Sequence, residues 1–192
     1  MIADLGAHVL DLVHHLVGDL DQVLAVTQIA YPDRPSVTDP AVRVPVDAED
    51  SVKMLLRARS GATGTIEASK IATGTEDELR FEIHGARGAL RFNSMDPHHL
   101  QAYDAGSPDR PAGGRRGWTA IDTGQRYPAP AGFPGPKFVI GWLRSHVACL
   151  AHFLDCVAAG RPAEPGLAQG IYVQRLIECA RLSAASGRWT RV

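Results

Sequence analysis

Residues 79–92 read LRFEIHGARGALRF. Leu79, Phe81 and Ile83 alternate with Arg80, Glu82 and His84, the period of a half-buried strand. The quartet Gly85-Ala86-Arg87-Gly88 is a tight connection, and Ala89–Phe92 resumes the extended pattern. The stretch therefore predicts an antiparallel hairpin. Upstream, Val52, Met54, Leu56 and Ala58 alternate with Lys53, Arg57 and Arg59, with Leu55 interrupting the polar side. Ser60-Gly61 is a turn, and Thr63–Ala72 is rich in β-formers. Downstream, Leu100–Tyr103 and Trp118–Ile121 read as further strands on either side of a Gly/Pro/Arg-rich loop, Gly106–Gly117.

Helices flank this run of strands. Residues 3–17 carry Leu5, Val9, Leu12, Val13, Leu16 and Val17 at helical spacing and stop at Gly18. Leu24, Val26 and Ile29 predict a strand running to Tyr31-Pro32. Residues 32–48 hold four prolines and read as a loop with a short extended piece, Val42–Val46. A second stretch, 127–136, also carries four prolines and is irregular. After it come two long helices, Val139–Ala159 and Leu167–Ser186, and a final short strand, Trp189–Val192. Helix, strands, two helices and a strand is not the βαβα alternation of a parallel sheet. It predicts an α+β fold in one domain, residues 1–192, whose open, mostly antiparallel sheet has helices packed on one face.

Composition narrows the function. The chain has 192 residues, 45% of them hydrophobic, and 20 Lys+Arg against 21 Asp+Glu. That is enough apolar material for a core, with neither a basic stripe for nucleic acid nor a polybasic membrane anchor. No apolar run approaches the ~20 residues of a membrane span. No basic stretch follows Met1, so no secretory leader is expected and the location is expected to be cytoplasmic. Cys149, Cys156 and Cys179 have no CxxC spacing. They predict neither disulfides nor a zinc site, but small buried hydrophobes in a reducing compartment.

The chemistry concentrates in residues 4–18, DLGAHVLDLVHHLVG. Asp4, His8 and Asp11 lie at i, i+4 and i+7, on one helical face opposite the apolar stripe, and His15 adds another turn. An imidazole between two carboxylates gains a fixed tautomer from one hydrogen bond and keeps its other nitrogen for proton transfer. Asp4 can instead cap the helix, and the whole row can be a solvated face. A four-ligand row along one helix is too long to converge on an ion, so no metal is expected. Trp142, Arg144 and His146 open the helix after the irregular stretch. Trp142 can stack on a sugar while Arg144 and His146 bond hydroxyls; equally, Trp142 can be core, Arg144 surface and His146 a buried, hydrogen-bonded ring. Lys70 follows a predicted strand and either points into a cleft or is solvated.

With these residues in place, the sequence resembles the Gfo/Idh/MocA family of NAD(P)-dependent sugar and polyol dehydrogenases. That family's motif is a glycine cluster, three residues, Asp, three residues, His, and Asp4 and His8 match its last two positions. The segments SGATGTIEASKIATG, EIHGARGALRF, HFLDCVAAGRPAEP and SAASGRWTRV follow in the family's order and approximate spacing, so the likeness covers nearly the full chain. The resemblance implies the C-terminal, substrate-binding half of an oxidoreductase that oxidises a hydroxyl of a sugar or polyol. His8 would be the acid/base that takes the hydroxyl proton, and Asp4 would orient that hydroxyl and the imidazole. Asp11 falls where a second acidic residue often follows and would contact substrate. NAD or NADP is the implied cofactor of the full-length enzyme, and the open sheet face would make a homo-oligomer. The sequence departs from the family in lacking a G-x-G-x-x-G turn after a strand. The family's catalytic lysine, from the cofactor domain, is not matched by Lys53, Lys70 or Lys137. The cofactor domain is thus expected to be absent, and no dinucleotide is expected to bind this chain tightly. The alternative is a stand-alone, non-catalytic sugar-binding or dimerisation module.

Overall fold

The computed structural model describes residues 1–111, 114–124, 127–133, 135 and 141–192. Lys137, and the first residues of the helix expected from Val139, lie outside them. The fold is α+β with antiparallel pairing throughout. The described residues form two compact units: Met1–Gly74 with Pro165–Val192, and Thr75–Glu164.

In the first unit, helix α1 (Leu5–Val17) leads into β1 (Leu20–Gln28). A two-stranded ribbon follows, β2 (Asp33–Pro35) with β3 (Arg43–Pro45), inside the segment read as a loop. Strands β4 (Ser51–Ala58) and β5 (Thr63–Ser69) then build the sheet. In the second unit, β6 (Arg80–Gly85), β7 (Gly88–Asn93), β8 (His99–Asp104) and β9 (Trp118–Asp122) form a four-stranded meander, and helix α2 runs over Trp142–Ala158. The chain returns to the first unit as α3 (Leu167–Ser186) and β10 (Thr190–Arg191), giving a four-stranded sheet in the order β10-β1-β4-β5. Among the described residues, the expected single sheet is thus two four-stranded sheets and a ribbon.

The hairpin of residues 79–92 forms in the expected register, with Phe81 opposite Phe92, Ile83 opposite Leu90 and Gly85 opposite Gly88. Gly88 is required sterically: a Cβ there would stand 2.2 Å from the carbonyl oxygen of Tyr103 on β8. On this sheet the Arg91 guanidinium lies 4.2 Å over the ring of Trp118 and bonds Gln101 at 2.5 Å.

In the first unit, β4 alternates cleanly: Val52, Met54, Leu56 and Ala58 are buried, while Lys53, Leu55 and Arg57 are exposed. Its buried side meets α1 and α3, whose Leu10, Val173, Leu176, Ile177 and Ala180 complete the core with Val23, Ala25 and Ile66. Helices therefore cover one face of this sheet. Two sequence-based assignments shift by a residue. On β1 the inward residues are Leu20, Val23 and Ala25, and Val26 is 68% exposed, because a bulge between Leu20 and Gln22 changes the phase of the strand. On α1 the innermost side chain is Leu10, and Leu16 is exposed. Of the cysteines, Cys156 and Cys179 are buried as expected, but Cys149 is exposed.

One buried hydroxyl ties α3 to the sheet. Ser183, fully buried, accepts the Ala25 N–H at 2.9 Å and donates to the Arg188 carbonyl at 2.6 Å. Helix α3 ends just beyond, at Gly187 in the left-handed region (φ 65°), with its N–H on the Ser183 carbonyl. Replacing Ser183 by Ala strands a buried backbone donor, the Ala25 N–H, and leaves the partly buried Arg188 carbonyl without this hydroxyl. We expect a loss of about 1–3 kcal/mol by urea denaturation, and a loss near zero would mean that water takes the hydroxyl's place.

Asp50 fastens the start of the ribbon segment. Its buried carboxylate accepts the backbone N–H groups of Ala30 and Tyr31, at 2.8 and 3.1 Å, and pairs with Arg34. The Tyr31 hydrogen bond, followed by that from Ala30 and the Arg34 charge, holds this carboxyl below its ordinary range. A folded-state pKa below the unfolded one stabilises at neutral pH, and that stabilisation disappears as acid protonates the folded carboxylate. Thermal melts below about pH 4 should therefore fall less steeply for Asp50→Asn than for the parent. Parallel curves would remove Asp50 from the acid response.

Candidate active site on the first helix

The Asp4 side chain does not cap α1. Asp4 occupies the N-cap position but makes no side-chain capping hydrogen bond. Its carboxylate instead pairs with Nζ of Lys70, the residue after β5. Packing of α1 against β5 makes the contact possible, and the Lys70 N–H on the Asp50 carbonyl, at 3.0 Å, fixes the backbone from which the lysine reaches. The hydrogen bond from Lys70, and then its charge, hold the Asp4 carboxyl below the usual carboxylate range. Lys70, read from the sequence as pointing into a cleft or solvated, is about half exposed and paired with Asp4, and it is not among the residues that line the depression between α1 and α3.

His8, one turn further along α1, is exposed, and Asp11 is half-buried. Both line an open depression of about 410 Å³ in the first unit, between α1 and the start of α3. Its other walls include Ala7, Gly166, Gln169, Gly170 and Gln174. Asp4 is not part of that lining. Gln169 turns its Oε1 onto the N–H of Gly166, at 2.9 Å, so its amide group is held at the N-terminus of α3. Sequence reading passed over Gln169 and Gln174. A glutamine three residues into a helix does signal a helix start, but which helix it faces is a tertiary fact. His15 is exposed, and His14 instead bonds Asp19 at 3.1 Å and lies 4.2 Å from the ring of Tyr172.

Trp142, Arg144 and His146 belong to the second unit. Trp142 is 74% exposed, which rules out its reading as core, and its ring meets that of His146 edge-on at 4.8 Å. Arg144 is not a surface residue: it is buried and donates to the carbonyls of Phe133, at 2.9 and 3.1 Å, and Gly135, at 3.1 Å. Those bonds occupy its guanidinium with backbone rather than with a hydroxylated guest. Its Nη1 has no hydrogen-bond partner among the described residues. His146 is exposed rather than a buried ring.

The described residues gather no group of three or more His, Cys, Asp or Glu side chains that could hold a metal ion. Neither glycine pair near a turn fits a dinucleotide pyrophosphate. Gly61 lies in the β4–β5 connection and Gly64 within β5, and Gly85 and Gly88 close the β6–β7 hairpin. Each pair leads into a strand, with no helix N-terminus for a pyrophosphate, and the space at Gly88 is filled by the Tyr103 carbonyl. No described helix is long and apolar enough to cross a membrane.

Residues 1–192 match in full the family described as "Oxidoreductase family, C-terminal alpha/beta domain", the C-terminal domain of the Gfo/Idh/MocA oxidoreductases. The chain belongs to this family. Among its relatives, levoglucosan dehydrogenase of Pseudarthrobacter phenanthrenivorans is 30% identical over 204 residues, covering 100% of this chain and 51% of that protein. D-Apiose dehydrogenase of Rhizobium rhizogenes is 26% identical, covering 98% and 47%. In three dimensions the chain is similar to an oxidoreductase domain protein from Kribbella flavida, with TM-score 0.90, 29% identity and coverage of 100% and 51%. It is also similar to levoglucosan dehydrogenase in complex with NADH and levoglucosan, with TM-score 0.88, 32% identity and coverage of 98% and 49%. The chain thus spans about half the length of the relatives it matches.

Proposed function

We propose that this chain is the substrate-binding, proton-handling half of an NAD(P)-dependent dehydrogenase that oxidises a hydroxyl of a sugar or polyol. The observation that carries the reading is the placement of His8 and Asp11 on the wall of a depression, in a chain of this family, with Asp4 one turn away and released from capping. Both units serve one substrate domain.

In this reading a sugar hydroxyl sits against the His8 imidazole. As the carbinol carbon gives up its hydride, the O–H bond breaks, its proton passes to the free ring nitrogen, and the oxygen becomes a carbonyl oxygen. Asp4, anionic and acceptor-only, accepts a hydrogen bond from a neighbouring hydroxyl of the sugar and so sets the angle at which the reacting proton is presented to His8. Asp11 and the Gln169 amide bond neighbouring hydroxyls. The hydride acceptor is assigned to a dinucleotide-binding domain of the family, since the sequence carries no G-x-G-x-x-G turn after a strand. The face of the first sheet turned away from the helices exposes Val26 and Leu55 beside the Lys53–Glu67 pair, and self-association is assigned to that face.

The test is turnover. The chain joined to a dinucleotide-binding domain of the family is assayed for NAD+ and NADP+ reduction with levoglucosan, D-apiose and a panel of aldoses and polyols. Reduction with at least one of them is expected. Calorimetric sugar binding with no turnover under any pairing would favour the non-catalytic module.

A further inference from the structure

We infer that Lys70 is a positioning residue of this site, acting through Asp4: its ammonium fixes the direction of the Asp4 carboxylate at the head of α1. The inference rests on the reading of Asp4 and His8 given above. Three observations support it. The Asp4 side chain ignores the capping bonds its position offers and turns to a lysine 66 residues away. That lysine stands on a backbone locked by the Asp50 carbonyl, directly after a strand whose Ile66 and Ala68 are buried, so its stem starts from a rigid point. The pair itself is about half exposed on both sides, and a solvated ion pair of this kind contributes little to folding. An interaction that does little for stability yet fixes a carboxylate beside an imidazole fits a site better than a scaffold.

Beyond aim, the lysine sets charge. Besides Lys70, the groups acting on Asp4 are the Met1 amino group and His8, both weaker. With Lys70 neutralised, the carboxylate would rotate freely and take up a proton more readily, and both changes weaken the acceptor that orients the sugar in front of His8. A second cation of similar reach should restore much of the function.

Two measurements test the assignment. In the 192-residue chain, carbon-detected NMR titration of the Asp4 carboxyl should show its midpoint rising in Lys70→Met and returning toward the parent in Lys70→Arg. An unchanged midpoint in Lys70→Met overturns the pairing in solution. In the enzyme carrying its dinucleotide-binding domain, Lys70→Met should lower kcat/KM about ten- to a hundredfold and move the acidic limb of its pH profile upward. The melting temperature should stay within a degree or two, and Lys70→Arg should recover most of the loss. In a double-mutant cycle, Lys70→Met should add little to Asp4→Asn. Full activity with an unmoved pH profile, or additive losses in the cycle, would refute action through Asp4. His8→Asn runs in parallel. If it is inactive while Lys70→Met matches the parent, only the lysine assignment fails; if His8→Asn turns over normally, the reading of the site fails with it.

Discussion

Replacing His8 by Asn in the enzyme that carries both halves should lower kcat about 10²- to 10⁴-fold, the usual worth of a positioned general base. Asparagine keeps polarity and approximate volume but cannot accept and release a proton near neutral pH. KM for the sugar should change little, because the depression between α1 and α3 keeps Asp11 and the two glutamines on its walls. His8 is exposed, so unfolding free energy should move by no more than about 0.5 kcal/mol. Steady-state NAD(P)+ reduction across pH 5–10 makes the measurement. A variant within a few-fold of the parent would mean that the proton leaves by another route.

The second large effect concerns the core. Leu176 is 1% exposed, midway along α3, in the cluster that includes Leu10, Val52 and Ala180. Truncation to Ala removes buried methyl groups and leaves a cavity that a helix-on-sheet layer cannot easily close, at a cost of about 2–5 kcal/mol. Urea denaturation followed by far-ultraviolet circular dichroism should show the loss as a lower midpoint with an unchanged slope. A change below 1 kcal/mol would mean that α3 packs less tightly than its burial implies. Leu182, exposed on the same helix, is the control and should tolerate Ala within about 0.5 kcal/mol.

Much of the architecture was legible in local signals. The hairpin of residues 79–92 follows from strict alternation around two glycines, and α3 starts and stops where its periodicity does. The phase of β1 was not legible. Leu24 and Val26 look like the inward pair, and only the bulge at Gln22, which depends on the register against β4, turns Val23 and Ala25 inward instead. The same division runs through the site. The shared face of Asp4, His8 and Asp11 is a matter of helical spacing, readable without coordinates. The Lys70 partner is not, because the sequence offers no reason for a residue after one strand to meet the head of a helix 66 positions earlier. The burial of Arg144 was not legible for a similar reason: its partners are backbone carbonyls of Phe133 and Gly135, which carry no residue-specific trace.

The first unit is assembled from two stretches of chain with the second unit threaded between them. On the ribosome, α1, β1, β4 and β5 emerge together, but α3, which completes their cover, follows only after the 90 residues from Thr75 to Glu164 have been translated. At ordinary elongation rates that is a wait of roughly 5–18 s, during which Val52, Met54 and Leu56 lack most of their cover and the β1 edge lacks β10. The nascent protein is therefore a client for holding chaperones, and synonymous codon changes that slow the middle of the message should raise the insoluble fraction without altering a single amino acid.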